Sequence, residues 1–331
     1  MKITVILCTY NRCLSLENAL NSIAASKMPE STEWEVLVVD NNSHDKTRMV
    51  VEDVSQRYPG RFRYVFESQP GKSHALNRGI QEAYGEVLAF MDDDVTVDSA
   101  WLQNLTAKLI DNEWVGAGGP IHPLWSSLRP EWLSLETKYA LAPVVAFDLG
   151  QEAGQISEPP WGTNMAFRRQ VFEKYGAFRT HLGPRPGSQI RGEDCEFGQR
   201  LLDRGERIRY EPSAVVYHPV TKERLTKRYH LEWWFDHGRA YVLQHGALPN
   251  TKYFVAGVPL YLFRRLAVWT IRWMVAVDSG KRFDCKRTVW SISGQIVEAL
   301  HSRTIERRQG GDAPVSSVGP PQDSHPRVRG L

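Results

Sequence analysis

Three carboxylates in a row, Asp92, Asp93 and Asp94, follow an apolar run from Val87 to Met91 in the stretch "GEVLAFMDDDV". Bare, mutually repelling acids end a buried strand poorly unless they hold something. Carboxylate oxygens are hard ligands for Mg²⁺ or Mn²⁺, and Mg²⁺ is commonly bound by one or two carboxylates together with substrate phosphates. In an extended segment Asp92 and Asp94 point to one side and Asp93 to the other. The plainer reading is a solvated turn before a helix at 101–110, capped by Asp98 or Ser99. A second acid pair, Glu193 and Asp194 in "RGEDCEFGQRLL", opens an amphipathic helix with Phe197, Leu201 and Leu202 on its apolar face. The helix dipole favours acids in a first turn, so capping accounts for them. The functional reading is a general base within reach of an acceptor hydroxyl, kept ionised by the helix N-terminus.

Two further side chains belong with these acids. His218, at the end of "AVVYHP", is either a satisfied structural histidine or an imidazole offered to a metal that has few other protein ligands. Lys72 lies in "QPGKSHALNRG", but a Walker-type phosphate loop needs a glycine at position 66, which is Phe. Lys72 can still bring a point charge to a diphosphate.

The elements that must position these residues alternate. Apolar strand-like runs at 3–8, 36–39, 62–66 and 87–91 are separated by helical spacing at 14–26, 47–58 and 73–83. This is the rhythm of a parallel sheet covered by helices. Ligands of such sheets bind beyond the carboxyl ends of the strands. The polar clusters "CTYNR", "DNNS" and "DDD" all fall at those ends. From about Trp114 the rhythm loosens into loops rich in Gly, Pro and Trp. "PPWGTNMAFRRQVFEKYGAF", the acidic helix and a strand-like "RIRYEPSAVVYH" then follow.

The 331 residues suffice for one large domain or one with an appendage. A formal net charge of +3 is too small to imply nucleic acid, and none is expected as a partner. Four cysteines without a CxxC pair argue against a zinc knuckle or a disulfide framework and for reduced thiols, as in the cytosol. No signal-peptide pattern precedes the first strand. Beyond Val220 the chain is helical, basic and aromatic. The apolar run from Tyr253 to Val277 is interrupted by Arg264, Arg265 and Arg272, whereas a span wants ~20 apolar residues. It reads as an in-plane interfacial helix with a basic face, or as a core helix with snorkelling arginines. Residues 310–331 have the composition of a disordered tail.

Taken together, "VILCTYNR", Asp40 in "VLVVDNNSHD", "GKSHALNRG", "FMDDDV", "WGTNMAFRR" and "GEDCEFGQRL" occur in the order seen in the family 2 glycosyltransferases. The chain resembles these inverting enzymes of glycosyltransferase A-type fold from about Lys2 to His218. The resemblance implies an α/β fold, a Rossmann-like, mostly parallel sheet flanked by helices, with a C-terminal helical extension. It implies a catalytic domain over 1–220, with a nucleotide-binding half at 1–113 and an acceptor half at 114–220. Beyond the resemblance, the composition of 221–309 reads as a basic, aromatic helical region that would associate with a membrane or pack as core. The donor would be a nucleoside-diphosphate sugar, a UDP-sugar before others. Thr9, Tyr10, Asn11 and Asp40 would cradle the base, with Asp92 near the ribose and Asp93 and Lys72 also in the nucleotide site. Asp94, joined by His218, would bind Mg²⁺ or Mn²⁺; three consecutive acids leave open which two serve. Asp194 matches the family's base, Glu193 would orient the acceptor, and Trp161, Gly162 and Asn164 would lie near sugar and acceptor. The acceptor would be a glycan or lipid-linked intermediate in polysaccharide or glycolipid synthesis, at or near the cytoplasmic face of a membrane.

Other classes fit less well. A nucleotidyltransferase acting on sugar phosphates would carry a Gly/Arg/Lys-rich loop where "CTYNRC" stands. A dinucleotide dehydrogenase needs GxGxxG, which is absent. A non-catalytic, membrane-associated nucleotide-sugar-binding protein remains if the acids are only surface.

Overall fold

β1 (Lys2–Thr9) and β2 (Glu33–Asp40) are buried along nearly their whole length. Burial on both faces is what continuous apolar runs in a parallel sheet require. The computed structural model describes residues 2–109, 113–134, 139–245 and 253–309. β3 (Phe62–Phe66) and β4 (Val87–Asp92) complete a parallel set ordered β3–β2–β1–β4. The connections are α1 (Cys13–Ala24), α2 (Thr47–Arg57) and α3 (Lys72–Glu82). Register aligns the strand ends: Thr9 pairs with Asp40 and Cys8 with Asp92. The three polar clusters therefore share one edge.

The next elements are β5 (Thr96–Val97), α4 (Trp101–Thr106), β6 (Gly116–Gly118), β7 (Ile121–Trp125), β8 (Gly154–Gln155) and β9 (Met165–Arg168). α5 (Arg169–Tyr175), α6 (Glu193–Asp203), β10 (Ile208–Tyr210) and β11 (Val216–Val220) follow. The large sheet runs β3–β2–β1–β4–β9–β6–β10–β8, with β9 antiparallel to both β4 and β6. A small sheet, β5–β11–β7, carries His218. Asp98, expected as the cap of α4, accepts the Ala100 N–H at 2.9 Å. The "RIRYEPSAVVYH" run is two strands in different sheets. Ser213 donates its hydroxyl to Glu211 at 2.6 Å, and the Ala214 N–H closes a turn on the Glu211 carbonyl. The face of α6 rests on an aromatic cluster. Phe197 stacks on Phe172 at 4.6 Å and meets Phe167 and Phe178 at 5.1 and 5.0 Å.

Beyond Val220 lie α7 (Lys227–His245), a hairpin of β12 (Phe254–Val255) and β13 (Val258–Pro259), α8 (Leu260–Val275) and α9 (Ser279–Gln309). α7 and α9 meet through glycines. A Cβ on Gly238 would lie 1.9 Å from the Ser291 carbonyl, and one on Gly294 would lie 2.0 Å from that of Phe235. The apolar segment from Tyr253 is thus not helical throughout. Ala256 and Gly257 turn with φ of +48° and +82°, which suits a tight hairpin, so the helix starts only at Leu260. No helix among the described residues is long and apolar enough to cross a membrane. The tail expected at 310–331 lies outside the described residues.

Candidate active site

α3 starts where it does because Gly71, at φ +135°, donates its N–H to Asn41 Oδ1 at 2.7 Å. That contact ties the helix start to the end of β2 and brings Lys72 to the end of β4. Lys72 Nζ lies 2.6 Å from Asp92 Oδ1 and 3.8 Å from Glu193 Oε1. The other Asp92 oxygen accepts the Thr163 hydroxyl at 2.6 Å. Burial pushes Asp92 up, but the Lys72 ammonium and the Lys72 and Thr163 hydrogen bonds hold it well below the usual carboxylate range. Burial pulls Lys72 down, and the charges of Asp92, Glu193 and Asp194 more than offset it.

Asp93 follows the end of β4 in a turn, not in the extended continuation expected, and its side chain is buried. It is 5% exposed and accepts Arg12 Nη1 at 3.1 Å. Burial, with help from Asp94 and Asp92 and against Arg12, pushes its carboxyl up to about 6. Asp94 Oδ2 accepts Arg12 at 2.8 Å and Arg224 at 3.3 Å. His218 Nε2 is 3.6 Å from Asp94 Oδ1 and 2.9 Å from Arg224 Nη1. A guanidinium only donates, so Nε2 accepts and the imidazole carries its proton on Nδ1. Nδ1 is buried with no hydrogen-bond partner. Burial holds His218 below the usual histidine value, the Asp94 charge opposing and the Arg224 charge adding to it. The His218 imidazole on β11 and the Asp94 carboxylate in the turn between β4 and β5 fit a divalent ion as two ligands. No group of three or more His, Cys, Asp or Glu side chains placed to hold a metal occurs among the described residues.

Gly192, at φ +100°, starts α6. Asp194 Oδ2 accepts the Gly162 N–H at 2.6 Å, and Oδ1 accepts the Cys195 N–H at 2.8 Å. The carboxylate is thus aimed by backbone, and a Cβ on Gly162 would crowd it at 3.0 Å. Glu193 is buried, and its Oε2 has no hydrogen-bond partner. Burial first, then the neighbouring Asp194 charge, push its carboxyl up to about 7 against the pull of Lys72. The helix start was expected to keep the general base ionised; at Glu193, its neighbour, loss of solvation outweighs the dipole.

These contacts close on themselves. Lys72 joins Asp92 to Glu193, Glu193 is followed by Asp194, and the adjacent residues Gly162 and Thr163 hold Asp194 and Asp92. Trp161, half-buried, lies against Phe147 with ring centroids 5.2 Å apart. Asn164, expected beside the sugar, is fully buried. Its amide donates to the Pro120 and Ala214 carbonyls at 2.9 and 2.7 Å, and its Oδ1 accepts Trp101 Nε1 at 2.8 Å. It fixes the loop that carries Gly162 and Thr163.

At the other end of the edge, Tyr10 is exposed beside buried Thr9. Asn11, at φ +52°, receives the His44 N–H on Oδ1 at 2.7 Å. Asp40 accepts the Ser43 N–H and the Tyr64 hydroxyl at 2.9 and 2.8 Å, so it first shapes the loop after β2. Burial and Asp40 push Tyr64 up to about 12. Arg12 and Arg224 complete the site without having been expected there, and Thr163, within the stretch expected near the sugar, binds Asp92 instead. Arg12 and Thr163 lie inside the quoted strings "CTYNR" and "WGTN", but nothing in their spacing names their partners. Arg224 lies beyond Val220, where no motif points to it.

The profile of glycosyl transferase family 2 matches residues 4–176. Among curated relatives, a glucosyl-dolichyl phosphate glucuronosyltransferase of Haloferax volcanii is 27% identical over 228 residues, 68% of this chain and 71% of its own length. The succinoglycan biosynthesis protein ExoM of Rhizobium meliloti is 29% identical over 225 residues, 68% of this chain and 69% of its own. Among solved structures, the mannosyltransferase PcManGT of Pyrobaculum calidifontis, in complex with GDP-Man and Mn²⁺, superposes with a TM-score of 0.56 at 19% identity. That likeness covers 94% of this chain and 88% of the other. At that identity it speaks for the fold, an α/β glycosyltransferase A-type sheet.

Proposed function

The chain belongs to glycosyl transferase family 2, and on that premise we propose that it moves a sugar, with inversion, from a nucleoside-diphosphate sugar to an acceptor hydroxyl. The observation that carries this reading is the closed circuit in which Gly162 and Thr163 grip Asp194 and Asp92 at 2.6 Å each. One rigid dipeptide thereby fixes a free base relative to the donor-side acid, which is what a single displacement needs.

Asp194, aimed by the Gly162 N–H, takes the proton of the acceptor hydroxyl. The acceptor oxygen bonds to the anomeric carbon from the face opposite the leaving group. The bond from that carbon to the diphosphate breaks, and its electron pair leaves with the nucleoside diphosphate. No second carboxylate flanking the bond is needed, in contrast to hydrolases. Asp94 and neutral His218 are the residues that would hold Mg²⁺ or Mn²⁺. A divalent ion there would offset the charge that develops on the leaving diphosphate. Arg12 and Arg224, which now neutralise Asp94, supply cations to the same diphosphate. Tyr10 offers an exposed ring to the base, and a UDP-sugar is the first donor to try. Trp161 and Glu193 stand on the acceptor side. Residues 1–220 form the catalytic unit in this reading, and 221–309 its helical extension. The names of the relatives, one acting on a dolichyl phosphate and one in polysaccharide synthesis, support a lipid-linked or glycan acceptor.

The test is product stereochemistry with an active donor–acceptor pair, read by NMR, together with Asp194→Asn. The variant keeps the size of the side chain and removes its basicity. It should lower turnover by at least ~10²-fold and leave nucleoside-diphosphate affinity nearly unchanged. Retention of anomeric configuration, or an active Asp194→Asn, would overturn the mechanism.

A further inference from the structure

We infer that α8 and the hairpin before it form a docking surface for an anionic phospholipid bilayer, with the helix lying in the plane of the headgroups. Only Leu262 of α8 is fully buried. Leu260, Val268, Ile271, Met274 and Val275 share one outward stripe about 120° wide at helical spacing. Ile271, Met274 and Val275 are 56%, 64% and 69% exposed, and Val277 just beyond is 98% exposed. The hairpin extends the stripe: Tyr253, Phe254 and Val255 are exposed, and the Tyr253 carbonyl accepts the Leu260 N–H at 2.9 Å. Contiguous exposed apolar surface of this kind marks an interaction site.

Charge names the occupant. Between Tyr253 and Arg282 the chain carries five cations, Arg264, Arg265, Arg272, Lys281 and Arg282, against one acid, Asp278. All five cations are exposed. Arg265 and Arg272 flank the stripe, and Arg264 rises within it, where a long stem can follow the apolar face and lift its guanidinium to the headgroups. Half-buried Trp269 and Trp273 lie on the opposite, protein-facing side of the helix beside Leu262, with Arg272 over the Trp269 ring at 4.8 Å and Lys286 over Trp273 at 5.2 Å. Apolar stripe, cationic flank and the exposed aromatics Tyr253 and Phe254 at its hairpin end are the composition of an interfacial helix. A second copy of the chain fits worse, because a two-fold contact would press the same five cations together. A crossing fits worse too: sixteen residues rise about 24 Å, short of a ~30 Å hydrocarbon core, and three arginines interrupt them. The surface is also joined to the site. α8 packs on α9 and α9 on α7, whose Gln244 donates to the carbonyl of Gly192 at 3.0 Å, just ahead of Glu193 and Asp194. This inference stands independently of the proposed chemistry.

The experiment is flotation of the full chain with phosphatidylcholine vesicles, with and without phosphatidylglycerol, across a salt series. Nucleoside-diphosphate binding and thermal unfolding are measured on the same samples. Binding is expected to need the anionic lipid and to fall with salt. Each arginine changed to Gln should weaken it roughly fivefold, and Arg264→Gln, Arg265→Gln and Arg272→Gln together on the order of a hundredfold. Ile271→Asp should abolish it. Both variants should retain nucleotide binding and the wild-type melt, since all four side chains are exposed. Failure to float, equal binding to neutral vesicles, or resistance to salt would overturn the inference. So would a dimer in sedimentation that Ile271→Asp dissolves, or unfolding of the exposed-face variants. Loss of nucleotide binding in the unmodified chain would instead count against the proposed function alone.

Discussion

Glu193→Gln should make the protein more stable as the pH rises, relative to the parent. The carboxyl titrates near 4.5 when unfolded and at about 7 in the fold, where burial and Asp194 disfavour its charge. The folded state then binds the proton more tightly, so this group lowers stability progressively as pH climbs from 4.5 to 7, and the loss is complete above that window. The shift of 7 − 4.5, or 2.5, corresponds to about 3 kcal/mol at 1.36 kcal/mol each. Exposure of 4% means that little solvent screening reduces it. Lys72 keeps its 2.6 Å contact with Asp92 in the variant, so the change removes only the longer, 3.8 Å approach. Any mismatch of the new amide adds an offset that does not depend on pH. The observable is therefore the pH dependence of the difference between variant and parent, from reversible urea unfolding at pH 5, 6, 7 and 8. The difference should move in the variant's favour by most of ~3 kcal/mol across that range. Repeating the pair on Asp194→Asn should slide the change to lower pH, because Asp194 is the second contributor to the shift. A flat difference, or one that moves against the variant at pH 8, would refute the buried-acid reasoning.

Gly162→Ala places a methyl 3.0 Å from Asp194 Oδ2, which must give by a few tenths of an ångström. Turnover should fall about tenfold or more while nucleoside-diphosphate affinity and melting temperature hold, as steady-state kinetics beside calorimetry would show. Phe197→Ala empties a fully buried position among three phenylalanines, and urea unfolding should report a loss of ~3–5 kcal/mol.

The first half of the sheet was legible because its signals are local. Apolar runs at 3–8, 36–39, 62–66 and 87–91 became β1 to β4 with small shifts at their ends, and the helices between them followed 3.6-residue spacing. Placement of the acids at strand ends followed from that order. Pairings across the chain were not legible. The partner of Lys72 depends on a register that sets Cys8 beside Asp92, and Thr163 reaches Asp92 across 71 residues. Asn164 was expected beside the sugar, yet α4 and two loops converge on it and absorb its amide. Glu193 and Asp194 look alike in sequence; burial alone separates a neutral-leaning acid from one aimed by two backbone N–H groups. The segment from Tyr253 kept its helix only after a two-residue turn that the arginine pattern does not encode.

Calorimetry of UDP, with GDP for comparison, binding to the parent and to Asp94→Asn, each with Mn²⁺ and with EDTA, tests the donor side most directly. Asp94 and His218 acting as metal ligands predict tight binding by the parent only with Mn²⁺, and weak binding in the other three conditions. Equal affinity in EDTA, or an Asp94→Asn variant that keeps the full Mn²⁺ effect, would contradict the assignment of that acid to the metal; binding of neither nucleotide by the parent in any condition would contradict the assignment of the site to a nucleoside-diphosphate donor.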